Sequence, residues 1–306
     1  MHKSKILILC YHGVIKKKVE GLNSSGKHLD YKEFVKQINF CKKNFNIISI
    51  NQLINKNISK TKVNLVITFD DGYHNVFSNA YPFLKKNNIP MTFYVTSGFI
   101  DGLLPWTDWI EALIFFTNKK KISKNKFLSN FTIKSIHQKK VAFKKIKNFC
   151  KTLNHVDKDY LLRILEKELF VKKCKTELKK NKELFKFCTW KQLYKMSRDK
   201  LVTIGGHSQS HEILTKIPLS KAQKEIKTSL KRLSQNKIKT NLFAYPNGQK
   251  GDFNNKIISL LKKQNIICCP SAMSGYNNIN TNLFKLKRIM IGFENLKFET
   301  IKEYNY

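Results

Sequence analysis

Over its first hundred residues the chain alternates short, predominantly apolar runs with segments whose apolar positions recur every three or four residues. Residues 6–10, 46–50, 65–69 and 91–96 are runs of the first kind, and each predicts a strand. Between them, residues 31–43 place Phe34, Ile38 and Cys41 on one helical face behind a candidate N-cap, Asp30. Residues 77–87 repeat the pattern with Tyr81 and Leu84. A strand that is apolar at every position has both faces covered, and strands separated by helices run parallel. The pattern therefore predicts an α/β fold with a buried parallel sheet.

From 103 to 188 the rhythm changes. After Leu104-Pro105-Trp106 the segment becomes helical and lysine-rich. Ala142, Ile146, Phe149, Cys150 and Leu153 form one apolar face, and Leu161, Leu165 and Leu169 another. The expectation is one domain over 1–306 with a helical insertion at 103–188. Beyond it the strand–helix rhythm returns. A helix is predicted at 190–196, strands at 201–204, 242–244, 266–269 and 286–291, and helices at 221–233 and 256–263.

Charge changes the picture less than its size suggests. The formal net charge is +37, yet the basic residues are 54 Lys and only 4 Arg. Nucleic-acid readers lean on arginine for bidentate contacts, so nucleic acid is not an expected partner. Lysine excess with abundant Asn and Ile is the usage of an AT-rich genome, and a basic surface weakly drawn to anionic membrane is the remaining consequence. The insertion carries much of it, with 22 basic and 6 acidic residues over 117–187. Seven cysteines without a repeated spacing predict buried thiols and not a disulfide framework or zinc ribbon. The apolar run at 6–10 is too short for a signal peptide, and no stretch approaches the roughly 20 residues of a membrane span. The expected location is the cytoplasm.

Three segments, each just after a predicted strand, carry candidate chemistry; in parallel α/β folds that edge faces the ligand. Thr68-Phe69-Asp70-Asp71-Gly72-Tyr73 sets two carboxylates side by side, a repulsive arrangement unless a cation or proton is shared. Read alone, it is as much a helix-capping turn as a site. Gly205-Gly206-His207-Ser208-Gln209-Ser210-His211 spaces two imidazoles so that one helical turn presents both to one metal ion. With Asp71 the set is two imidazoles and a carboxylate, which leaves positions for water and substrate. Phe243-Ala244-Tyr245-Pro246-Asn247-Gly248 is a rigid turn whose backbone N–H groups suit a developing oxyanion.

Taken together, the segments resemble the polysaccharide deacetylase family, the NodB-homology or carbohydrate esterase family 4 group. Its T-F-D-D-G motif stands at Thr68 to Gly72, its H-S/T-x-x-H motif at His207 to His211, and its P-x-G ending at Pro246 to Gly248. Leu9-Cys10-Tyr11-His12-Gly13-Val14 and Trp190 match further family positions, and the resemblance covers residues 5–100 and 186–291. It implies a distorted (β/α)7 barrel. It also implies a divalent metal, Zn²⁺ first among them, on Asp71, His207 and His211, with Asp70 as general base. Asn247 would hold the oxyanion through its peptide N–H, and Tyr73, Tyr245, Pro246 and Gly248 would line the substrate. One departure stands out. The late L-x-H histidine, the usual general acid, is missing from Leu286-Lys287-Arg288-Ile289-Met290-Ile291, and no His follows His211. His12, or Asp70 once it has gained the proton, is the candidate substitute, ahead of His74. The implied substrate is an N-acetylated amino sugar on a lipid- or nucleotide-linked precursor of a surface polysaccharide. An O-deacetylase, a deformylase or a metal-retaining glycan binder are the alternatives.

Overall fold

In a computed structural model of the chain, residues 5–292 and 301 are described here. The chain opens with β1 (Ile6–Tyr11), β2 (Gly13–Ile15), β3 (His28–Asp30), α1 (Tyr31–Asn44), β4 (Asn46–Ile47), α2 (Ile50–Ile54) and β5 (Asn64–Phe69). A π-helical turn at Val76–Ala80 runs into α3 (Tyr81–Lys86), followed by β6 (Met91–Val95) and α4 (Ser97–Ile100). Next come α5 (Trp106–Phe116), β7 (Lys121–Ile122), β8 (Phe131–Thr132), α6 (Ile136–Thr152), α7 (His155–Leu169), α8 (Lys172–Lys180) and α9 (Lys182–Phe185). The last group is α10 (Trp190–Ser197), β9 (Val202–Gly206), α11 (Leu219–Gln235), α12 (Asn255–Lys262) and β10 (Ile289–Met290).

The chain divides into two compact units. The larger holds residues up to 16, 27–103 and 187 onward. Its parallel sheet runs in the order β10-β1-β5-β6-β9, with β4 added to the start of β5. Single parallel bridges extend it from Gly206 to Phe243 and from Leu242 to Cys268. The strands expected at 242–244 and 266–269 are thus bridged segments and not regular strands. The run expected at 46–50 is also shorter, because Ser49 caps α2 through a capping box with Gln52 and turns the chain into helix. Asp30 caps α1 as its sequence predicts, accepting from the N–H groups of Lys32 and Glu33; such a cap stabilises by about 1 kcal/mol.

Every residue of β1 and of β5 is buried. Alternate side chains feed two separate cores. Leu7, Leu9, Tyr11, Leu65, Ile67 and Phe69 pack with the α1 residues Phe34 and Ile38, whereas Ile6, Ile8 and Val66 pack with Tyr94, Leu242 and Cys268. At about 1.5–3 kcal/mol for each fully buried aliphatic or aromatic side chain, burial on both faces outweighs local propensity in these strands. All seven cysteines are buried free thiols.

The smaller unit holds residues 104–186 and also 17–26, a segment that no periodicity marks. The backbone N–H of Ser24 donates to Glu111 at 2.6 Å and that of Lys17 to Glu183 at 3.1 Å. Its core joins the two predicted faces: Ala142, Ile146 and Cys150 of α6 meet Leu161, Leu165 and Leu169 of α7 over Ile110, Leu113 and Ile114 of α5. Among the described residues no helix is long and apolar enough to cross a membrane.

Candidate metal centre and active site

Strand register brings the three segments together. Tyr11 pairs with Phe69 and Val95 with Gly206, so His12, Asp70 and His207 leave the same edge of the sheet. The Asp70 N–H donates to Tyr11 O and the His207 N–H to Val95 O, both at 2.9 Å, which fixes the first residue beyond each strand.

Asp71 turns the chain with φ +76°, in the left-handed region that non-glycine residues rarely occupy. Gly72 follows at φ +105°, where a Cβ would lie 2.9 Å from Ile100 Cδ1. The double turn aims the Asp71 carboxylate at two imidazoles. Its Oδ1 lies 3.4 Å from His211 Nε2 and 3.7 Å from His207 Nε2. One ligand atom from each of the three residues falls within 4.8 Å of the others. His207 is oriented from behind, its Nδ1 lying 2.8 Å from Ala244 O. A carbonyl only accepts, so Nδ1 carries the proton and the Nε2 lone pair faces Asp71. Burial lowers the His207 pKa, against the opposing pull of Asp70, and so keeps the ring neutral. Asp71 Oδ1 is buried with no hydrogen-bond donor. A neutral, correctly protonated imidazole, a second imidazole and an unsatisfied carboxylate oxygen fit a divalent cation.

The pair of histidines does not sit on a helical turn, as their spacing suggested. Residues 207–211 form an irregular loop, with Ser208 at φ +64° and His211 at φ +60°. These left-handed residues bring the second imidazole back toward the first, their ring centroids 4.9 Å apart.

Asp70 stands beside the triad and is gripped by Arg288, a residue that the missing late histidine of its segment overshadows in the sequence. Arg288 Nη1 donates to Asp70 Oδ1 at 2.8 Å and Nη2 to Oδ2 at 2.7 Å. Its Nε donates to Ser271 O at 2.7 Å, and Nη1 also reaches Thr68 Oγ1 at 3.3 Å. The guanidinium is fully buried, lying against the Tyr94 ring. Burial pushes the Asp70 carboxyl up, but the paired Arg288 guanidinium outweighs it and holds the group well below the usual carboxylate range. Asp70 is therefore an ionised carboxylate with its Oδ2 3.8 Å from His207 Nε2. A signal for Arg288 existed: one of four arginines among 58 basic residues stands inside an apolar run, where lysine would not supply a fork.

His12 lies at the same edge and is buried. Burial takes its pKa down to about 4, against the charges of Asp71 and Asp70, so the ring is neutral near pH 7. The next residue has no room for a side chain: a Cβ on Gly13 would lie 2.1 Å from His28 Nδ1. Asn75 accepts the Val14 N–H at 3.1 Å and Asn79 donates to Val14 O at 2.8 Å, so residues just past the Asp-Asp turn hold β2, the strand that follows His12. His74 instead packs against Phe77.

The third segment is a rigid turn. Asn247 has φ +59° and its side-chain amide donates to Asp252, while Gly248 N donates to Pro246 O at 2.6 Å. Asn247 is the partly exposed member; Pro246 and Gly248 are buried. Tyr245 points its ring into the core, stacked on Phe253 at 4.3 Å with its hydroxyl donating to Phe284 O at 3.1 Å. Tyr73 is also fully buried, between Phe187 and His28, and Lys27 Nζ donates to its hydroxyl at 2.6 Å. Neither ring is displayed as an open sugar platform; both buttress the turns that carry the polar groups.

Comparison with known proteins agrees with this architecture. The chain is similar to Streptococcus pyogenes deacetylase PplD in complex with acetate, at 16% identity and TM-score 0.62 over 99% of both chains. It is similar to IcaB from Ammonifex degensii at 15% identity and TM-score 0.60, over 99% of this chain and 97% of that one. A de-N-acetylase from Aggregatibacter actinomycetemcomitans is similar at 16% identity and TM-score 0.58, over 98% and 99%. At these identities the likeness establishes the α/β fold. None of the curated proteins matches by sequence. The sequence model of the family described as "Polysaccharide deacetylase" matches residues 57–267, a span that holds the Asp-Asp turn, both histidines and the Pro-Asn-Gly turn. On that match, which spans more than half of the chain, the protein belongs to the polysaccharide deacetylase family and is a carbohydrate deacetylase.

Proposed function

We propose that the chain removes the acetyl group from an N-acetylated amino sugar with a divalent metal, Zn²⁺, held by Asp71, His207 and His211. The convergence of those three ligand atoms beside an ionised Asp70 carries the reading. Bound there, such an ion supplies a Lewis acid to the acetamide carbonyl and lowers the pKa of a water beside it. Asp70 takes a proton from the attacking water at its Oδ2, while Arg288 keeps the carboxylate ionised and aligned. The Asn247 peptide N–H, oriented by its left-handed turn, donates to the oxyanion. As the C–N bond breaks, the proton passes to the sugar nitrogen, with neutral His12 as the relay in place of the missing late histidine. The products are acetate and a free amine.

Product analysis tests the chemistry. With an N-acetylglucosamine oligomer as substrate, acetate and primary amine should appear in equal amounts, with about one divalent ion bound per chain. Acetate release from an O-acetylated sugar, with no amine from the N-acetylated one, would make it an esterase.

The proposed substrate is a lipid- or nucleotide-linked precursor of a surface polysaccharide. The lysines of the smaller unit and the exposed Val156 and Tyr160 of α7 support contact with an anionic membrane. Each surface lysine contributes roughly 1 kcal/mol near such a bilayer, so several suffice for reversible attachment. The protein should sediment with anionic vesicles at low salt and be released as screening shortens the reach of charge. Retention in the supernatant at every salt concentration would favour a nucleotide-linked substrate.

A further inference from the structure

The His207–His211 loop is strained, and what holds it is a carboxylate outside every recognised motif. Glu225, in the second turn of α11, is buried. Its Oε2 accepts the Gln209 N–H at 3.0 Å and the Ser210 N–H at 2.8 Å, and its Oε1 accepts the Ser210 hydroxyl at 2.7 Å. All three donors lie in the two residues that stand just before His211. Left-handed conformations at Ser208 and His211 persist only where the surroundings over-determine them. On the other side, α4 contributes neutral contacts, from Gly98 N to Gln209 O at 2.8 Å and between Ser97 Oγ and Gln209 Oε1 at 2.6 Å. Hydrogen bonds to an ionised carboxylate are about twice as strong as neutral ones, so Glu225 is the dominant clamp. The two histidines differ in how they are held. His207 is fixed as the first residue after β9, by Thr96 Oγ1 on its carbonyl at 3.0 Å and by Ala244 behind its ring. His211, a quarter exposed, follows the loop.

We propose that Glu225 is a positioning residue of the metal centre: by clamping Gln209 and Ser210 it holds His211 at ligand distance from Asp71 and so sets metal affinity. This rests on the metal-dependent reading above. It assigns Glu225 no contact with metal or substrate.

The test uses the full chain stripped of metal, with Zn²⁺ affinity measured by competition against a chromophoric chelator and coordination read from the visible spectrum of the Co²⁺-loaded protein. Glu225→Gln removes the charge, leaving a neutral amide oxygen on the two N–H groups and an NH₂ facing the Ser210 hydroxyl, and should weaken Zn²⁺ binding about 10- to 100-fold, the usual effect of losing a group that orients a ligand. Its Co²⁺ spectrum should change as well. Ser210→Ala removes a single contact to the same carboxylate, should fold whatever Glu225→Gln does, and should weaken Zn²⁺ binding several-fold. Glu225→Asp, which keeps the charge, should recover part of the affinity. A purely structural role would lower the melting temperature of the metal-free protein and leave affinity and spectrum unchanged; that result in Ser210→Ala and in folded Glu225→Gln would overturn the proposal. Wild-type protein that takes up no Zn²⁺ would instead overturn the metal-dependent reading itself.

Discussion

Asp70→Asn is expected to lose about 10²- to 10⁴-fold in turnover, the span usually supplied by a positioned proton acceptor. An amide cannot take the proton from the attacking water, and Asp70 is not itself one of the three grouped ligands, its Oδ2 lying 3.8 Å from His207 Nε2. Metal content should therefore remain near one ion per chain. Stability should not be preserved, although the adjacent carboxylates by themselves suggest a folding-neutral exchange. The substitution would leave the Arg288 guanidinium buried without its counter-charge, and breaking such a pair costs about 3–5 kcal/mol. In a chain of this size that lowers the melting temperature on the order of 10 °C. The double variant Asp70→Asn, Arg288→Gln should recover most of the stability and none of the turnover. The pair also has a pH signature. Against the upward push of burial, Arg288 holds the Asp70 carboxyl below its ordinary value. A depressed carboxyl stabilises fully above its unfolded pKa of about 4, and loses that contribution as pH falls through the folded value. The double variant should consequently lose less stability than wild type on acidification below about pH 4. A folded Asp70→Asn protein retaining more than about a tenth of the wild-type rate would reassign the base.

His207→Ala should abolish both metal binding and turnover, by several orders of magnitude in rate. The residue is buried, faces Asp71 and Asp70 together, and is oriented through Ala244 O. Removing it leaves two ligands, one of them the more exposed His211. Chelation of the wild-type protein should reproduce the loss, and added Zn²⁺ should reverse it. Chelated protein that is metal-free by elemental analysis yet fully active would sink the metal-dependent reading. His207→Gln is the informative companion, since it keeps volume and removes the imidazole; restored activity at high Zn²⁺ concentration would place the defect in affinity and not in proton transfer.

Local pattern carried much of the architecture. Apolar runs at every position gave the buried parallel strands, and the 3.6-residue period gave α1, α6 and α7, because each depends on neighbours within a few residues. The three family motifs lay in plain order as well, since turns built on Gly72 and on Pro246 with Gly248 impose their geometry locally. Other features belong to the tertiary structure alone. Arg288 meets Asp70 across 218 positions, a partnership set by β10 lying beside β1 and β1 beside β5. Glu225 reaches the histidine loop only because α11 packs against it. Residues 207–211 bend into left-handed turns where spacing suggested a helix, held by contacts from elements distant in sequence. Tyr245 and Tyr73 follow the motifs but turn inward, since the core behind each turn takes their rings. Periodicity reports which face of an element is buried; it holds no record of which distant polar group is waiting there, and that pairing decides whether a carboxylate is an ionised base, a metal ligand or a clamp.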